Sequence, residues 1–376
     1  MDRPLSSRSY QSNESKLEFN ENRAFQNELR RRVDEYFRTS GRPQRDCWPM
    51  YLKTAIVLSC FAASYVLLVF AARNAWQALP LAIVLGISTA GIGFNIQHDG
   101  GHNAYSKRAW INRTMAMTLD LIGGSSYIWR WKHAVFHHRY VNISGYDPDI
   151  EIGMFGRLSP HQKWRPFHRW QHLYLWPLYG LIAVKWHLVD DFRSVATGWV
   201  GPHRIPRPRG TDMVIFVAGK AAFLSLAFVI PLLFHPFWIV LFYYALAAVV
   251  LGMLMSLIFQ LPHCVEKAEF PLPEKETGRI KNPWAVHQAR VTLDFSRGNP
   301  ILTWPLGGLN YHLEHHLFPI ICHVNYPAIT KIVQDTCGEF GIVYKEHRSF
   351  REGMASHFRW LRQMGMPDGP IHRDAG

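Results

Sequence analysis

Four apolar runs, set in two closely spaced pairs, constrain this chain more than any other feature. They cover about residues 54–72, 78–97, 212–234 and 236–261. Each approaches the ~20 residues that an α-helix needs to cross a hydrocarbon core of ~30 Å. A segment in lipid must satisfy its own backbone polar groups, so runs of this kind fold as helices. The connections within each pair are only residues 73–77 and His235, which leaves two tight hairpins. Lys220 is the one cation inside the runs, and its long stem lets the ammonium snorkel towards the nearer interface. The expected fold class is an all-α integral membrane protein with four transmembrane helices in two hairpins. Residues 98–211 and 262–345 are long enough to build a helical cap on one side.

Basic residues orient this arrangement. Ten Lys or Arg fall in residues 1–50, fifteen in 98–211 and thirteen in 262–376, against Arg73 alone in the short links. Lys and Arg accumulate on the cytoplasmic side, so both termini, the cap and any site within it face the cytoplasm. The net charge of +13 then reads as attraction to anionic lipid. Nucleic acid is not an expected partner, because no basic stripe with interleaved aromatics lies outside the segments flanking the spans. Fourteen Trp and 23 Phe suit the headgroup level of a bilayer. The five cysteines are scattered with no CxxC pair, as expected of reduced thiols.

The remaining segments read as follows. Residues 1–14 are Ser-rich and expected to be disordered, and the polar stretch from Asp2 to Asn22 holds no apolar signal-peptide core. From about Ser15 to Thr39, Phe25, Leu29, Val33 and Phe37 recur every four residues, the spacing of an amphipathic helix. It lies on the membrane surface or docks on the protein; the pattern allows both. The run 171–189 is broken by Pro177 and Lys185 and reads as an interfacial helix, with a fifth span as the alternative. These readings divide the chain into a cytosolic N-terminal segment (1–50), a membrane domain (51–345) and a C-terminal tail (346–376).

Eight of the twenty histidines sit in three short windows: His98 and His102; His133, His137 and His138; His312, His315 and His316. Residues three or four apart share a helix face, so paired imidazoles at this spacing can grip one metal. His138 is displaced around the helix by one position. Eight imidazoles exceed what one tetrahedral zinc takes, and they fit two metals with open positions. Imidazole suits zinc, copper, iron and nickel alike, so ligand type alone does not select the metal. His263, at the cytoplasmic end of the fourth run, is a ninth candidate, with His287 as a weaker one. Ligating histidines usually donate their other nitrogen to a carboxylate or carbonyl; Asp99, Asp147, Asp149 and Glu314 lie in or beside the windows. The Asp147-Pro148-Asp149 run also reads as a simple turn. His161, His168, His172 and His203 lack such spacing and read as surface groups.

These residues resemble a family. His98-Asp-Gly-Gly-His102, His133-xxx-His137-His138 and His312-xx-His315-His316 are similar to the three histidine boxes of membrane fatty acid desaturases. The contexts Trp131–Asn142 and Gly307–Pro319 look like the second and third boxes of the linoleoyl-CoA desaturase-like branch, including bacterial members. The resemblance implies a non-haem diiron centre under a cytosolic cap on four spans, with a bent tunnel for an acyl chain. It implies a reaction in which oxygen and two electrons remove two hydrogens from adjacent methylenes, giving a cis alkene and water. The bacterial inner membrane is the implied location. The substrate would be a fatty acyl chain on CoA, a carrier protein or a lipid. Lys107, Arg108, Arg130 and Lys132 are basic groups near the boxes for a phosphate-bearing carrier, or simply flanking charge. Front-end members of the branch usually begin the third box with Gln where this chain has His312. They often carry a fused cytochrome b5 domain marked by HPGG, absent from this sequence, so a separate ferredoxin or cytochrome b5 with its reductase would supply electrons. The same scaffold could instead support a hydroxylase, ketolase or acetylenase. A membrane zinc hydrolase would need fewer imidazoles, and haem ligation only one or two.

Overall fold

The computed structural model describes residues 17–367. The expectation of disorder over residues 1–14 lies outside the described residues. Four helices are long and apolar enough to cross a membrane: Trp48–Ala71, Ala75–Gly101, Thr211–Leu232 and Phe237–Gln260. The links within each pair are short, as the apolar runs implied. Asn74 caps the second span by accepting from the Gln77 backbone N–H at 3.1 Å, which satisfies one of the free donors of a helix start. The second span continues without a break through His98 to Gly101, beyond the end of its apolar run, and thereby carries the first histidine window out of the apolar layer.

The second span lies between the first and the fourth, and the fourth also packs along the helix Gln171–Lys185. That helix is therefore covered by protein on one side: Leu175, Tyr179 and Ala183 are buried in the core. Apart from three two-stranded pairings, at Phe19–Asn20 with Ile280–Pro283, Trp199–Val200 with His203–Arg204, and Asp294–Phe295 with Glu346–His347, the described residues are helices and loops.

Three sequence expectations are corrected here. Lys220 does not snorkel. It is buried, donates to the Gly123 carbonyl at 2.6 Å and pairs with Asp191 at 2.8 Å, so its charge is met by partners inside the protein. The N-terminal helix runs over Ala24–Ser40, starting later than its periodicity suggested, and docks on the protein. Phe25 and Leu29 pack with Ala289, Leu313 and Val333, and Val33 and Phe37 with Tyr311 and Tyr326. Residues 346–376 are not simply a tail: Phe350–Met364 is a helix whose Trp360, Leu361 and Met364 join the core around Tyr179 and Val265.

Candidate metal centre

The eight box histidines and His263 meet at the ends of the second and fourth spans, and all nine are buried. His98, His102, His133 and His315 form one group whose ligand atoms lie within 4.8 Å of one another; His137, His263 and His316 form another, and His138 joins His315 and His316 in a third. His312 stacks into the same cluster, with ring centroids 4.8 Å from His263 and 4.9 Å from His316.

The local backbone explains how the windows converge. Residues Ile92–Gln97 and Arg130–His137 are wound as π-helix, with hydrogen bonds to the fifth residue rather than the fourth, a feature common at functional sites. The wider turn brings positions five apart onto one face. His138, expected to be displaced, therefore lies beneath His133, their Nε2 atoms 3.2 Å apart. His98 Nε2 is 3.3 Å from His133 Nε2. The third window is placed by Gly307 and Gly308, both in the left-handed region at φ 61° and 67°. A Cβ on Gly307 would fall 2.2 Å from the Phe94 carbonyl oxygen, so only glycine lets this turn press on the second span.

Five of the imidazoles share one polarity. His312 Nδ1 donates to the Leu309 carbonyl at 2.9 Å, His263 Nδ1 to the Val291 carbonyl at 3.3 Å, His316 Nδ1 to Gln288 Oε1 at 3.0 Å and His137 Nδ1 to Asp147 at 3.0 Å. His315 Nδ1 faces the Tyr326 hydroxyl at 3.3 Å. In each of these five the other nitrogen, Nε2, is buried without a hydrogen-bond partner. A buried polar atom left unpaired in this way calls for an explanation. A proton fixed on the outer nitrogen leaves the inner lone pair free, which is the arrangement of metal-bound histidine. Burial also holds the rings neutral: His102 and His312 are pushed down to about 3, and His133, His138, His263, His315 and His316 well below the usual imidazole range, by desolvation first and by their neighbours second. Only the neutral ring can ligate. His137 differs, because Asp147 and Asp149 outweigh the effect of its burial and raise it.

Among the four carboxylates expected to hold these rings, Asp147 does and Asp149 stands near two of them. Asp147 bonds His137, and Asp149 lies 3.4 Å from the same nitrogen and 3.7 Å from His133 Nδ1 while pairing with Lys132 at 2.9 Å. The other two are corrected. Asp99 bonds His323 Nδ1 at 3.0 Å, whose other nitrogen meets Lys53 at 2.8 Å. Glu314 meets Tyr344 at 2.9 Å and pairs with Asp294; burial, then the neighbouring Asp294, push it well above the usual carboxylate range. One hydroxyl cannot donate to both carboxyls, so one of the pair carries a proton. His287 is outside the cluster, bonded to the Val141 carbonyl at 3.0 Å. His168, read as a surface group, is buried and bonded to the Met154 carbonyl at 2.9 Å.

Two bridging residues were not anticipated. Gln288 accepts from His316 and donates to the His138 carbonyl at 3.1 Å, tying the second window to the third. Asn142, in the left-handed region at φ 57°, donates to the His263 carbonyl at 2.9 Å while its backbone N–H donates to Asp147 at 2.9 Å. Both side chains neighbour a window in space or sequence, but nothing in their spacing marks them.

The cluster opens onto apolar space. A small chamber beside His98 is walled by Gln97, Trp129, Trp186, Met255 and Phe259. Thr89, Ile122 and Leu251 line both this chamber and a cavity of about 380 Å³ between the spans. The larger cavity reaches from that shared neck to Arg73, Asn74 and His235 at the far links. A buried set of imidazoles, most of them held neutral, beside an apolar cavity suits chemistry on an unreactive hydrocarbon chain, from which water must be kept away.

Comparison with known proteins agrees with this geometry. Residues 74–348 match the model of the fatty acid desaturase family. The chain is 38% identical to an sn-1 linoleoyl-lipid 6-desaturase of Arthrospira platensis, over 94% of this chain and 96% of that protein. It is also 38% identical to the protein of the same name from a Synechocystis strain, over 93% and 98%. An acyl-lipid (8-3)-desaturase of Physcomitrium patens is 35% identical over 93% of this chain and 73% of its own length.

Proposed function

The chain belongs to the fatty acid desaturase family, and from that premise we propose that it desaturates an acyl chain on a lipid, at two irons held by its nine clustered histidines. It is a membrane enzyme, an oxidoreductase acting on acyl chains. The observation that supports the finer reading is the polarity shared by His137, His263, His312, His315 and His316: the outer nitrogen partnered, the inner nitrogen buried and unpaired, in a cluster beside an apolar cavity.

When bound, two irons would supply the oxidising chemistry that removes two hydrogens from adjacent methylenes, drawing on oxygen and two electrons. The ligands would be His98, His102, His133, His137, His138, His263, His312, His315 and His316. Asp147 and Gln288 fix the orientation of His137 and His316, which sets the direction of each lone pair, and Asp149 adds negative charge beside His137. The imidazole cluster holds the reacting carbons, with the chamber walls gripping the chain just beyond them, and such positioning converts binding energy into rate. The methyl end of the chain occupies the larger cavity. The active site and both termini face the cytoplasm, and a separate carrier protein delivers electrons.

The Arthrospira and Synechocystis relatives are named for a linoleoyl-lipid substrate and position 6. The same class suits this chain: an acyl chain already carrying a cis double bond, with the new one placed between it and the carboxyl. Mass spectrometry of lipids from a desaturase-free host expressing the gene tests this. The expected product is an added cis double bond on the carboxyl side of linoleoyl groups, formed only with oxygen. A hydroxylated chain, or oxygen-independent lipid cleavage, would overturn the reading.

A further inference from the structure

We infer that Gln97 recognises a double bond already present in the acyl chain, and so sets the preference for unsaturated substrates. This rests on the desaturase reading above and names the feature of the substrate that the site reads.

Gln97 closes the π-helical turn at the end of the second span and lines the chamber beside His98. It is 3% exposed, and its amide nitrogen has no hydrogen-bond partner. The neighbouring polar groups of the chamber wall are engaged. Thr89 donates to the Leu85 carbonyl at 2.6 Å, Trp186 Nε1 donates to Asp191 at 2.9 Å, and His187 Nδ1 meets the Tyr244 hydroxyl at 3.3 Å. Trp129, Met255 and Phe259 line the same chamber, and their side chains carry no oxygen or lone-pair nitrogen that could accept from it.

An unpaired buried donor costs about 1–3 kcal/mol, whereas Leu or Met would fill the same space at no such cost. The donor gains a partner only if what enters the chamber can accept. A saturated chain has nothing to accept a hydrogen bond. A cis alkene has π electrons, and N–H groups donate weakly to π systems. The location fits this role. The chamber lies between the imidazole cluster and the cavity assigned to the methyl end, so a group held in it is a few carbons beyond the reacting carbons on the methyl side. In a linoleoyl chain attacked at carbon 6, the existing double bond at carbon 9 falls there.

The test is a competition between two acids of equal length. Cells expressing the full chain, or its Gln97→Leu or Gln97→Met variant, are fed linoleic and stearic acids together. New double bonds in each are measured and normalised to protein. The wild-type protein should favour linoleoyl groups, and in both variants that preference should fall by about two- to five-fold, the worth of one weak hydrogen bond. A general loss of folding or turnover lowers both products alike and leaves their ratio unmoved. An unchanged ratio in either variant that accumulates would overturn the inference while leaving the desaturase reading intact. Failure of both variants to accumulate would also overturn it, since Gln97 would then be a structural group. No added double bond from the wild-type protein would overturn the desaturase reading instead.

Discussion

Asp147 holds His137 by a charge-assisted hydrogen bond and is itself held by the Asn142 backbone, so its charge sets both the tautomer and the direction of that ring. Asp147→Asn keeps the size and removes the charge. Metal affinity should fall by about 10–100-fold, the usual effect of losing such an outer partner, as read by chelator competition on purified protein; unchanged affinity would show that His137 needs no anchor. His312 is the position where front-end relatives of the branch carry Gln. Its Nε2 is unpaired and its ring lies between His263 and His316. An amide oxygen can replace imidazole as a weak ligand, so His312→Gln should retain a measurable fraction of product, whereas His316→Ala should abolish it. Equal and complete loss in both would make His312 indispensable. At this scale the convergence of the side chains was legible where spacing carried the information: the eight paired histidines come together, joined by His263 from the end of a span. It misled where adjacency stood in for direction. Asp99 follows His98, and Glu314 precedes His315, yet neighbouring helical residues do not face the same way. Each carboxylate points away from the cluster to partners remote in sequence, His323 and Asp294.

At the scale of elements, the buried Lys220–Asp191 pair joins the third span to the helix that follows Gln171–Lys185. Removing one member strands a charge in the interior, which costs about 3–5 kcal/mol, whereas replacing both with apolar groups is far milder. Lys220→Met should therefore unfold at markedly lower temperature in detergent, and Lys220→Met with Asp191→Leu should recover much of the loss. An unaltered melting temperature in the single variant would show that the pair is not buried in the folded protein. The spans were readable to within a few residues because lipid demands long apolar helices. The docking of Ala24–Ser40 was not, because an amphipathic stripe looks the same whether lipid or protein covers it. His357, Trp360, Leu361 and Met364 do recur at helical spacing, and their burial shows that the signal of the last helix was present. The π-helical turn over Arg130–His137 left no such trace, since its effect is to change which positions share a face.

For the whole molecule, the proposed orientation, with two hairpins and the histidine cluster on the cytoplasmic side, makes a prediction about sidedness. A Cys placed at exposed Gln77 should react with an impermeant maleimide added outside intact cells, and one at exposed Glu276 should not; labelling at both positions would contradict the orientation. The histidine cluster depends on every part of the fold at once. The second span carries His98, the end of the fourth span places His263, and Gly307 presses the third window onto the second span. The nine imidazoles come together only when these parts of the fold are all in place. Metal analysis of the purified full-length protein, expressed in iron-replete medium, therefore tests the account most directly. The account predicts close to two irons per chain, lost together with desaturase activity when His316 is replaced by Ala. Stoichiometric zinc with no iron would contradict it.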